Sequence, residues 1–248
     1  MINAEKKIQQ NILGKNQLNE FYVDHFAEEQ LIDFFELTGE IIEKIKVAVD
    51  VGGGCGYFAR RLAEKIPVRV RVLDSDKVSI DACLKLKNNN IEAQQDDALQ
   101  PTIIGDEDIV CFNLILHHLI TNNEKTTNEI QKKAVNVWSD SAKFIFINEY
   151  CYDSYFFDFS AKIIFLITKN KFLSFFCKLI SVFIPSLKAN TFGVGVRFRS
   201  HDDWLNLFGE SNYHVLRKKY GRNEDVSFAR RFLLIKNIRK DSFLLIKR

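Results

Sequence analysis

Short apolar runs alternate with longer amphipathic stretches along the chain from residue 47 onward. Alternation of this kind predicts a parallel β-sheet whose strands are connected by helices. The apolar runs predict five strands, each followed by its crossover connection, at 47–51, 69–73, 91–95, 108–112 and 144–148. Apolar residues at helical spacing predict helices at 57–66, 75–87 and 123–139. Two later β-like runs, 213–220 and 242–247, predict a pair of strands that completes the sheet.

Two apolar regions lie outside this alternation. Residues 1–45 carry apolar side chains at helical spacing, which predicts two or three helices that cap one end of the functional site. These apolar side chains are Phe21, Phe26, Leu31, Phe34, Phe35 and Leu37. Residues 152–189 form an apolar insertion interrupted every few positions by lysines, namely Lys162, Lys169, Lys171 and Lys178. No run reaches the roughly 18 to 20 apolar residues of a membrane span. The insertion therefore predicts two helices broken near Asn170.

Length and composition fit one domain. A chain of 248 residues that is 46% hydrophobic can bury one large core. We therefore expect a single domain over 1–248, made of a helical cap (1–45), a core (46–150), the insertion (152–189) and the rest of the sheet (190–248). The five cysteines stand singly, without metal-site spacing, and no apolar stretch follows the opening residues. Reduced cysteines and a cytoplasmic location follow as expectations.

Charge is distributed unevenly along the chain. Residues 1–153 contain 17 basic and 25 acidic side chains, a formal charge of −8. Residues 154–248 contain 18 basic and 7 acidic side chains, a formal charge of +11. A basic C-terminal half suits an anionic substrate, a membrane surface or nucleic acid, and it is equally compatible with a lysine-rich solvated surface on a phenylalanine-rich core.

A glycine-rich turn joins the first predicted strand to the first predicted helix. The stretch VDVGGGCGYFA, residues 49–59, places Asp50, Gly52, Gly54 and Gly56 in the order D-x-G-x-G-x-G. Glycine permits backbone conformations that side chains forbid and lets a ligand approach closely, and the first amides of the next helix point into the same crevice. The fingerprint of dinucleotide-binding folds, G-x-G-x-x-G, does not fit this turn. Whether the fingerprint is counted from Gly52 or from Gly54, the position of its third glycine holds another residue. The turn favours a nucleoside ligand without a pyrophosphate.

Acidic residues end the next two predicted strands. Asp74 lies 22 residues after Gly52, where a carboxylate can accept hydrogen bonds from both hydroxyls of a ribose. Asp96 and Asp97 follow the third strand, where one of them can accept a hydrogen bond from an adenine amino group. Each taken singly can be a turn or helix cap. Together and in order they predict a nucleoside-binding crevice.

The glycine motif and the acidic residue of the second strand resemble those of the class I S-adenosylmethionine (SAM)-dependent methyltransferase superfamily, over roughly 47–148. The resemblance implies an α/β, Rossmann-like fold with a seven-stranded, mostly parallel sheet and a reversed last strand. It implies SAM as cofactor, S-adenosylhomocysteine as product and no metal. The residues expected to bind the cofactor are Asp50, Gly52, Gly53, Gly54, Gly56, Asp74, Ser75, Asp96, Asp97, Ala98 and Asn113.

The fourth predicted strand leads into two histidines. DIVCFNLILHHLI, residues 108–120, brings His117 and His118 near the crevice, and histidine is a usable base at neutral pH. The stretch looks like the corresponding one in small-molecule O-methyltransferases of the caffeate and hydroxyneurate type, which implies that His117 deprotonates an acceptor hydroxyl. That family's Asp-Trp pair is His118-Leu119 in this chain. His118 is therefore an alternative base, and packing or capping is an alternative role for both histidines.

Three more charged residues occupy candidate positions. Glu149 ends the fifth strand, where it can line an acceptor pocket, orient a histidine or meet solvent. The stretch RFRSHDDWLNLF, residues 197–208, predicts a helix that begins after Ser200, with acidic residues in its first turn, where they favour the helix dipole. Arg197 and Arg199 precede that helix and either meet an anionic substrate or support the structure.

The sequence indicates the chemical class of the methyl acceptor. The insertion occupies the region that commonly builds the acceptor pocket in the resembling superfamily, which favours a small organic acceptor with a hydroxyl under an apolar lid. The same helices can instead rest on a membrane and draw a lipid-linked or quinone-like substrate, form a homodimer, or add a layer to the core. Nucleic acid is disfavoured, because the fourth strand lacks an Asn/Asp-Pro-Pro-Tyr/Phe loop and a Pro-Cys nucleophile. A non-catalytic SAM-binding subunit would keep the glycine turn and need no base.

Overall fold

The computed structural model of the chain describes residues 24, 26–188 and 191–248. Its strands are β1 (Val47–Val51), β2 (Arg69–Asp74), β3 (Ile91–Gln95), β4 (Ile109–Asn113), β5 (Phe144–Ser154), β6 (Tyr213–Lys219) and β7 (Ile235–Lys247). Its α-helices are α1 (Ala27–Thr38), α2 (Tyr57–Lys65), α3 (Lys77–Leu84), α4 (Glu124–Asn136), α5 (Phe159–Lys169), α6 (Lys171–Phe183), α7 (His201–Gly209) and α8 (Phe228–Arg231). Short 3₁₀ segments lie at Gly39–Lys44, Leu116–His118 and Pro185–Leu187.

The seven strands form one sheet in the order β3-β2-β1-β4-β5-β7-β6. Strands β1 to β5 run parallel to one another, whereas β7 lies antiparallel between β5 and β6. The expected Rossmann-like sheet with a reversed last strand is confirmed. Chain order reverses between β1 and β4, and the carboxyl ends of strands at such a point form the crevice in which open α/β sheets bind ligands.

Two apolar layers cover the sheet. The residues of β4 from Ile109 to Phe112 are buried without alternation, as expected for a strand with helices on both faces. On one face, the rings of Phe34 (α1) and Phe58 (α2) lie edge to face, 5.7 Å apart, and both contact Phe146 of β5. On the other face, Trp138 and Trp204 are buried in a cluster with residues of β5 and β7. The strand ends that face the crevice are therefore held by a well-packed core.

The last strands differ from the sequence expectation. β5 continues to Ser154, and β7 begins at Ile235 rather than at residue 242. The two strands pair along their whole length. The polar run at the start of β7 concealed the strand, because Arg239 and Asp241 are buried and bind each other instead of meeting water.

Two other parts of the chain bear on the expectations. The connection from β3 to β4, residues 96–108, for which no helix was predicted, consists of turns and irregular chain. Of the helical cap expected over 1–45, the structure describes α1 and the 3₁₀ segment Gly39–Lys44. The remainder, with Phe21, lies outside the described residues.

The insertion forms two helices, α5 and α6. They meet at Asn170, whose side-chain oxygen accepts hydrogen bonds from the amides of Phe172 (3.0 Å) and Leu173 (3.1 Å) and so caps α6. The predicted break near Asn170 is confirmed. Within the described residues, no helix has both the length and the apolar character needed to cross a membrane.

Ser200 begins α7 with a capping box. Its hydroxyl accepts a hydrogen bond from the Asp203 amide at 3.1 Å, and the Asp203 carboxylate accepts one from the Ser200 amide. Ser200→Ala should lower the free energy of unfolding by about 1 kcal/mol, because a helix-start amide loses its partner. Urea denaturation measures this change. Ser75→Ala, at an exposed serine without such a bond, is the matched control, and equal midpoints for both variants would contradict the prediction.

Candidate functional site

The glycine turn lies at the carboxyl end of β1, beside the end of β2. It is closed by hydrogen bonds from the Gly52 amide to the Leu73 carbonyl (2.7 Å) and from the Gly56 amide to the Gly53 carbonyl (2.9 Å). Gly54 has a φ of 54°, which L side chains rarely adopt. A Cβ added there would meet no atom within 4 Å. This part of the turn therefore faces open space, directly before the first amides of α2.

Behind the turn, Asp50 and Asn113 form a polar pair. The Asn113 side-chain amide donates to Asp50 Oδ1 at 3.1 Å. Asp50 Oδ2 and Asn113 Oδ1 are buried and, within the described part of the chain, receive no hydrogen bond. Burial raises the pKa of Asp50 to about 7, against the hydrogen bond from Asn113, and the charge of Asp74 adds to the rise. A Cβ at Gly53 would lie 2.5 Å from Asp50 Oδ2, so glycine is required there.

Asp74 joins the turn to the end of β2. Its Oδ2 accepts a hydrogen bond from the Gly54 amide at 2.9 Å, and its Oδ1 accepts one from the Asp76 amide at 2.8 Å. Burial raises the pKa of Asp74, although these two backbone bonds oppose the rise. The adjacent Ser75 is exposed. The structure thus brings Asp74 into direct contact with the turn.

Asp96, Asp97 and Ala98 follow β3, one strand farther along the same edge. Asp96 accepts hydrogen bonds from the amides of Asp97 and Thr102, both at 2.8 Å, and Asp97 accepts one from the Leu99 amide at 2.9 Å. Both carboxylates therefore act as turn caps, the ordinary alternative for them. Asp97 is also exposed, so its remaining lone pairs are accessible.

His117 is paired with a buried carboxylate. Its Nδ1 lies 2.6 Å from Glu149 Oε2, and the other oxygen of Glu149 accepts a hydrogen bond from the Leu116 amide at 2.5 Å. Glu149 is fully buried and His117 nearly so. Because a carboxylate only accepts, Nδ1 carries the proton and the lone pair of the neutral ring is on Nε2. Among the roles open to Glu149, the geometry fits orientation of a histidine.

His118 has a different environment. Burial, together with neighbouring His117, holds its pKa well below the ordinary value, so the ring stays neutral at physiological pH. The two imidazole centroids lie 4.1 Å apart.

Two aromatic side chains contact His117, and a third stacks on one of them. Phe198 stacks on its ring with centroids 5.0 Å apart, Tyr150 approaches edge-on at 5.9 Å, and Tyr152 stacks on Phe198 at 4.2 Å. Burial raises the pKa of both tyrosines, that of Tyr152 to about 12, so both phenols are neutral. Sequence reasoning missed all three. The tyrosines alternate in NEYCY beyond the expected end of β5, which was an available signal, whereas nothing marked Phe198.

Arg197 and Arg199 support the segment that leads to α7. Arg197 is buried and pairs with Glu124 and Asp158. Arg199 is also buried, donates to Gln131 Oε1 at 2.6 Å, and lies over the Trp204 ring. Burial lowers the pKa of Arg199 to about 10, and the charge of Arg197 adds to this effect. These contacts fit structural support rather than the binding of an anionic substrate.

A second buried polar cluster, which the sequence did not reveal, joins β5, α7 and β7. Ligand-type atoms of Cys151, His201 and Asp241 lie within 4.8 Å of one another. Asp241 accepts hydrogen bonds from His201 Nδ1 (2.7 Å), Arg239 Nε (2.9 Å) and the Gly221 amide (2.9 Å). Burial raises the pKa of Asp241, but these donors outweigh burial and hold it below the ordinary value. Since the arginine already balances the carboxylate, the cluster fits a structural tie.

Three solved structures share this architecture. The mitomycin 7-O-methyltransferase MmcR is 13% identical, with a TM-score of 0.56, over 90% of this chain and 54% of its own. The magnesium protoporphyrin IX methyltransferase ChlM from Synechocystis PCC 6803, solved with bound S-adenosylhomocysteine, is 12% identical, with a TM-score of 0.52, over 94% of each chain. This chain has the fold of class I SAM-dependent methyltransferases.

The third structure limits what the methyltransferase fold implies about chemistry. It is described as a pericyclic reaction enzyme and is 13% identical, with a TM-score of 0.51, over 82% of this chain and 43% of its own. The chain thus spans about half of the MmcR length and less than half of this enzyme. No protein-family model matches the sequence, and no curated protein matches it. The chemistry must therefore be argued from the residues of the site.

Proposed function

We propose that this chain is a SAM-dependent methyltransferase that transfers a methyl group to a hydroxyl oxygen of a small organic acceptor. The observation that carries the proposal is the pairing of His117 with the buried Glu149. The histidine follows the same strand, β4, whose end supplies Asn113 to the glycine-turn site. A candidate base and a candidate cofactor crevice are therefore adjacent along the chain and at one edge of the sheet.

The residues at the turn fit SAM. Within the described residues, the buried oxygens Asp50 Oδ2 and Asn113 Oδ1 receive no hydrogen bond. The ammonium group of SAM carries several N–H donors that could supply these bonds. Each oxygen of Asp74 takes one backbone hydrogen bond and can accept another, as the two hydroxyls of a ribose require. The exposed Asp97 can accept a hydrogen bond from an adenine amino group. Bound in this crevice, SAM would supply a methyl group already activated by its sulfonium.

His117 and Glu149 would handle the acceptor proton. The acceptor hydroxyl would donate its hydrogen bond to Nε2 of His117, and His117 would take the hydroxyl proton while bound SAM supplied the methyl group. Glu149, hydrogen-bonded to Nδ1, stabilises the positive charge that the imidazole then carries. Tyr150 and Phe198 pack against His117, and Tyr152 stacks on Phe198. This aromatic group favours an aromatic or conjugated acceptor and would exclude water from the proton transfer.

Calorimetry and a transfer assay test the two parts of this proposal. Saturable binding of both SAM and S-adenosylhomocysteine is expected, and failure to bind either would falsify the cofactor assignment. SAM labelled in its methyl group is then incubated with a panel of phenols, catechols and hydroxy acids, and with a metabolite extract of the source organism. A labelled product extractable into organic solvent supports methyl transfer.

A non-methylating enzyme of the same fold is the second candidate, since the pericyclic reaction enzyme shares this architecture. It would bind the cofactor yet leave the label on SAM while consuming a compound of the extract. That result would contradict the transfer proposal and retain the cofactor assignment.

A further inference from the structure

The helix α6 turns its apolar side outward. Seven of its large apolar residues recur at the spacing of one helical face and are exposed: Phe172, Phe175, Phe176, Leu179, Ile180, Val182 and Phe183. The opposite side carries Ser174 and Ser181, which are buried. Ser174 Oγ donates to the Ile167 carbonyl at 2.7 Å and accepts from the Gly193 amide at 2.8 Å. Polar contacts therefore fix the helix in the orientation that leaves its phenylalanines in solvent.

The exposed surface continues onto α8, far along the chain. Arg230 Nε donates to the Ser186 carbonyl at 2.8 Å, which joins α8 to the 3₁₀ turn that follows α6. Phe228 and Phe232 of this short helix are 77% and 74% exposed. We name the exposed residues of α6 together with Phe228 and Phe232 the outer apolar surface. It extends beyond the insertion and is larger than the sequence indicated.

The charged side chains of α5, α6 and the turn that follows them are all basic. Residues 159–188 contain five lysines and no aspartate or glutamate, and α8 adds Arg230 and Arg231. At 100° per residue, Lys171 and Lys178 lie roughly 100° from the centre of the apolar stripe of α6. Long cationic side chains at such a flank can hold their charges beside an anionic layer while the stripe enters an apolar one. Both lysines are exposed.

We propose that the outer apolar surface docks on the surface of an anionic lipid membrane. An apolar stripe on a helix whose charged side chains are all lysines matches the two layers of such a bilayer, acyl chains below and negative headgroups above. A second copy of the chain is a poorer occupant, because the lysines of two identical faces would meet each other. The helices lie on the bilayer rather than cross it, in keeping with the lack of a spanning helix among the described residues.

Vesicle co-sedimentation of the full chain tests this surface. Binding is expected to vesicles that contain one-third phosphatidylglycerol, to weaken at high salt, and to be much weaker to pure phosphatidylcholine. The double variant Phe172→Ser/Phe183→Ser removes two side chains that are 69% and 86% exposed and should weaken binding by about tenfold or more. The double variant Lys171→Glu/Lys178→Glu should abolish the preference for phosphatidylglycerol.

Ile104→Ser is the matched control, at an apolar side chain 58% exposed in the β3–β4 connection, and it should bind like the parent chain. Thermal unfolding shows that each variant is folded. Equal binding by the parent and the phenylalanine double variant would overturn the proposal. So would a parent chain that forms a stable dimer in analytical ultracentrifugation, loses the dimer in that variant and binds no vesicles.

Discussion

Replacing His117 with glutamine is expected to lower the rate of methyl transfer by about 10²- to 10⁴-fold, the range that general bases contribute. SAM affinity should be unchanged, because the imidazole contacts Glu149, Phe198 and Tyr150 rather than the glycine turn. Glutamine retains a hydrogen-bonding group but cannot take a proton at neutral pH. The rate is measured with methyl-labelled SAM and the acceptor identified by the transfer assay, and SAM affinity by calorimetry.

The pH profile separates a base from a residue that only packs. In His117→Gln the rate should recover as the pH approaches the pKa of the acceptor hydroxyl, because the acceptor then loses its proton to water. Glu149→Gln should also lower the rate, since it removes the charge that stabilises the imidazolium while keeping a side chain of similar size. If His117→Gln kept the parent rate and His118→Gln lost it, the base would be His118 and the assignment of His117 would be wrong.

The cofactor side of the site was the part that sequence could predict. Turn glycines and the acidic strand end lie within a short stretch, so their spacing along the chain reflects their positions in space. In the structure the Gly54 amide donates a hydrogen bond to Asp74, and the charge of Asp74 acts on Asp50. Binding of SAM by these residues remains a prediction, whereas their proximity at the ends of β1 and β2 is part of the fold.

The acceptor side was harder to predict, because its residues come from distant segments. Phe198 reaches His117 only because the backbone amide of Arg197 donates to the His117 carbonyl at 2.9 Å, a contact between residues far apart in sequence. Glu149 could be named as a strand end but not as the partner of His117, since their proximity depends on the pairing of β4 with β5. The start of β7 was not predicted for the same reason. Its residues are polar in sequence, but Asp241 is buried by partners from β5 and α7.

The raised pKa of Asp50 predicts that SAM affinity depends on pH. Its pKa of about 7 in the free protein exceeds the ordinary value of 3.8 because of burial. An ammonium group beside the carboxylate would favour the charged form and lower that pKa in the complex, so a proton is released when SAM binds. Affinity therefore falls as the pH drops below about 7, where a proton must first leave Asp50. If the pKa in the complex is below about 5, the loss between about pH 7.5 and 5.5 is roughly 25-fold.

The free protein should show the opposite dependence on the same carboxyl. Because the folded pKa is raised, the contribution of Asp50 to stability is fully present below its unfolded pKa and is lost as the pH rises through about 7. Stabilisation by SAM thus grows over the pH range in which the free protein loses this contribution. Calorimetry in buffers of different ionisation enthalpy counts the proton released when SAM binds.

Asp50→Asn, which keeps the size of the side chain but cannot titrate, should bind SAM more weakly at neutral pH and lose both the proton release and the pH dependence of SAM affinity. If this variant kept the parent's pH dependence, another group would have to carry it, and the placement of the SAM ammonium beside Asp50 would fail.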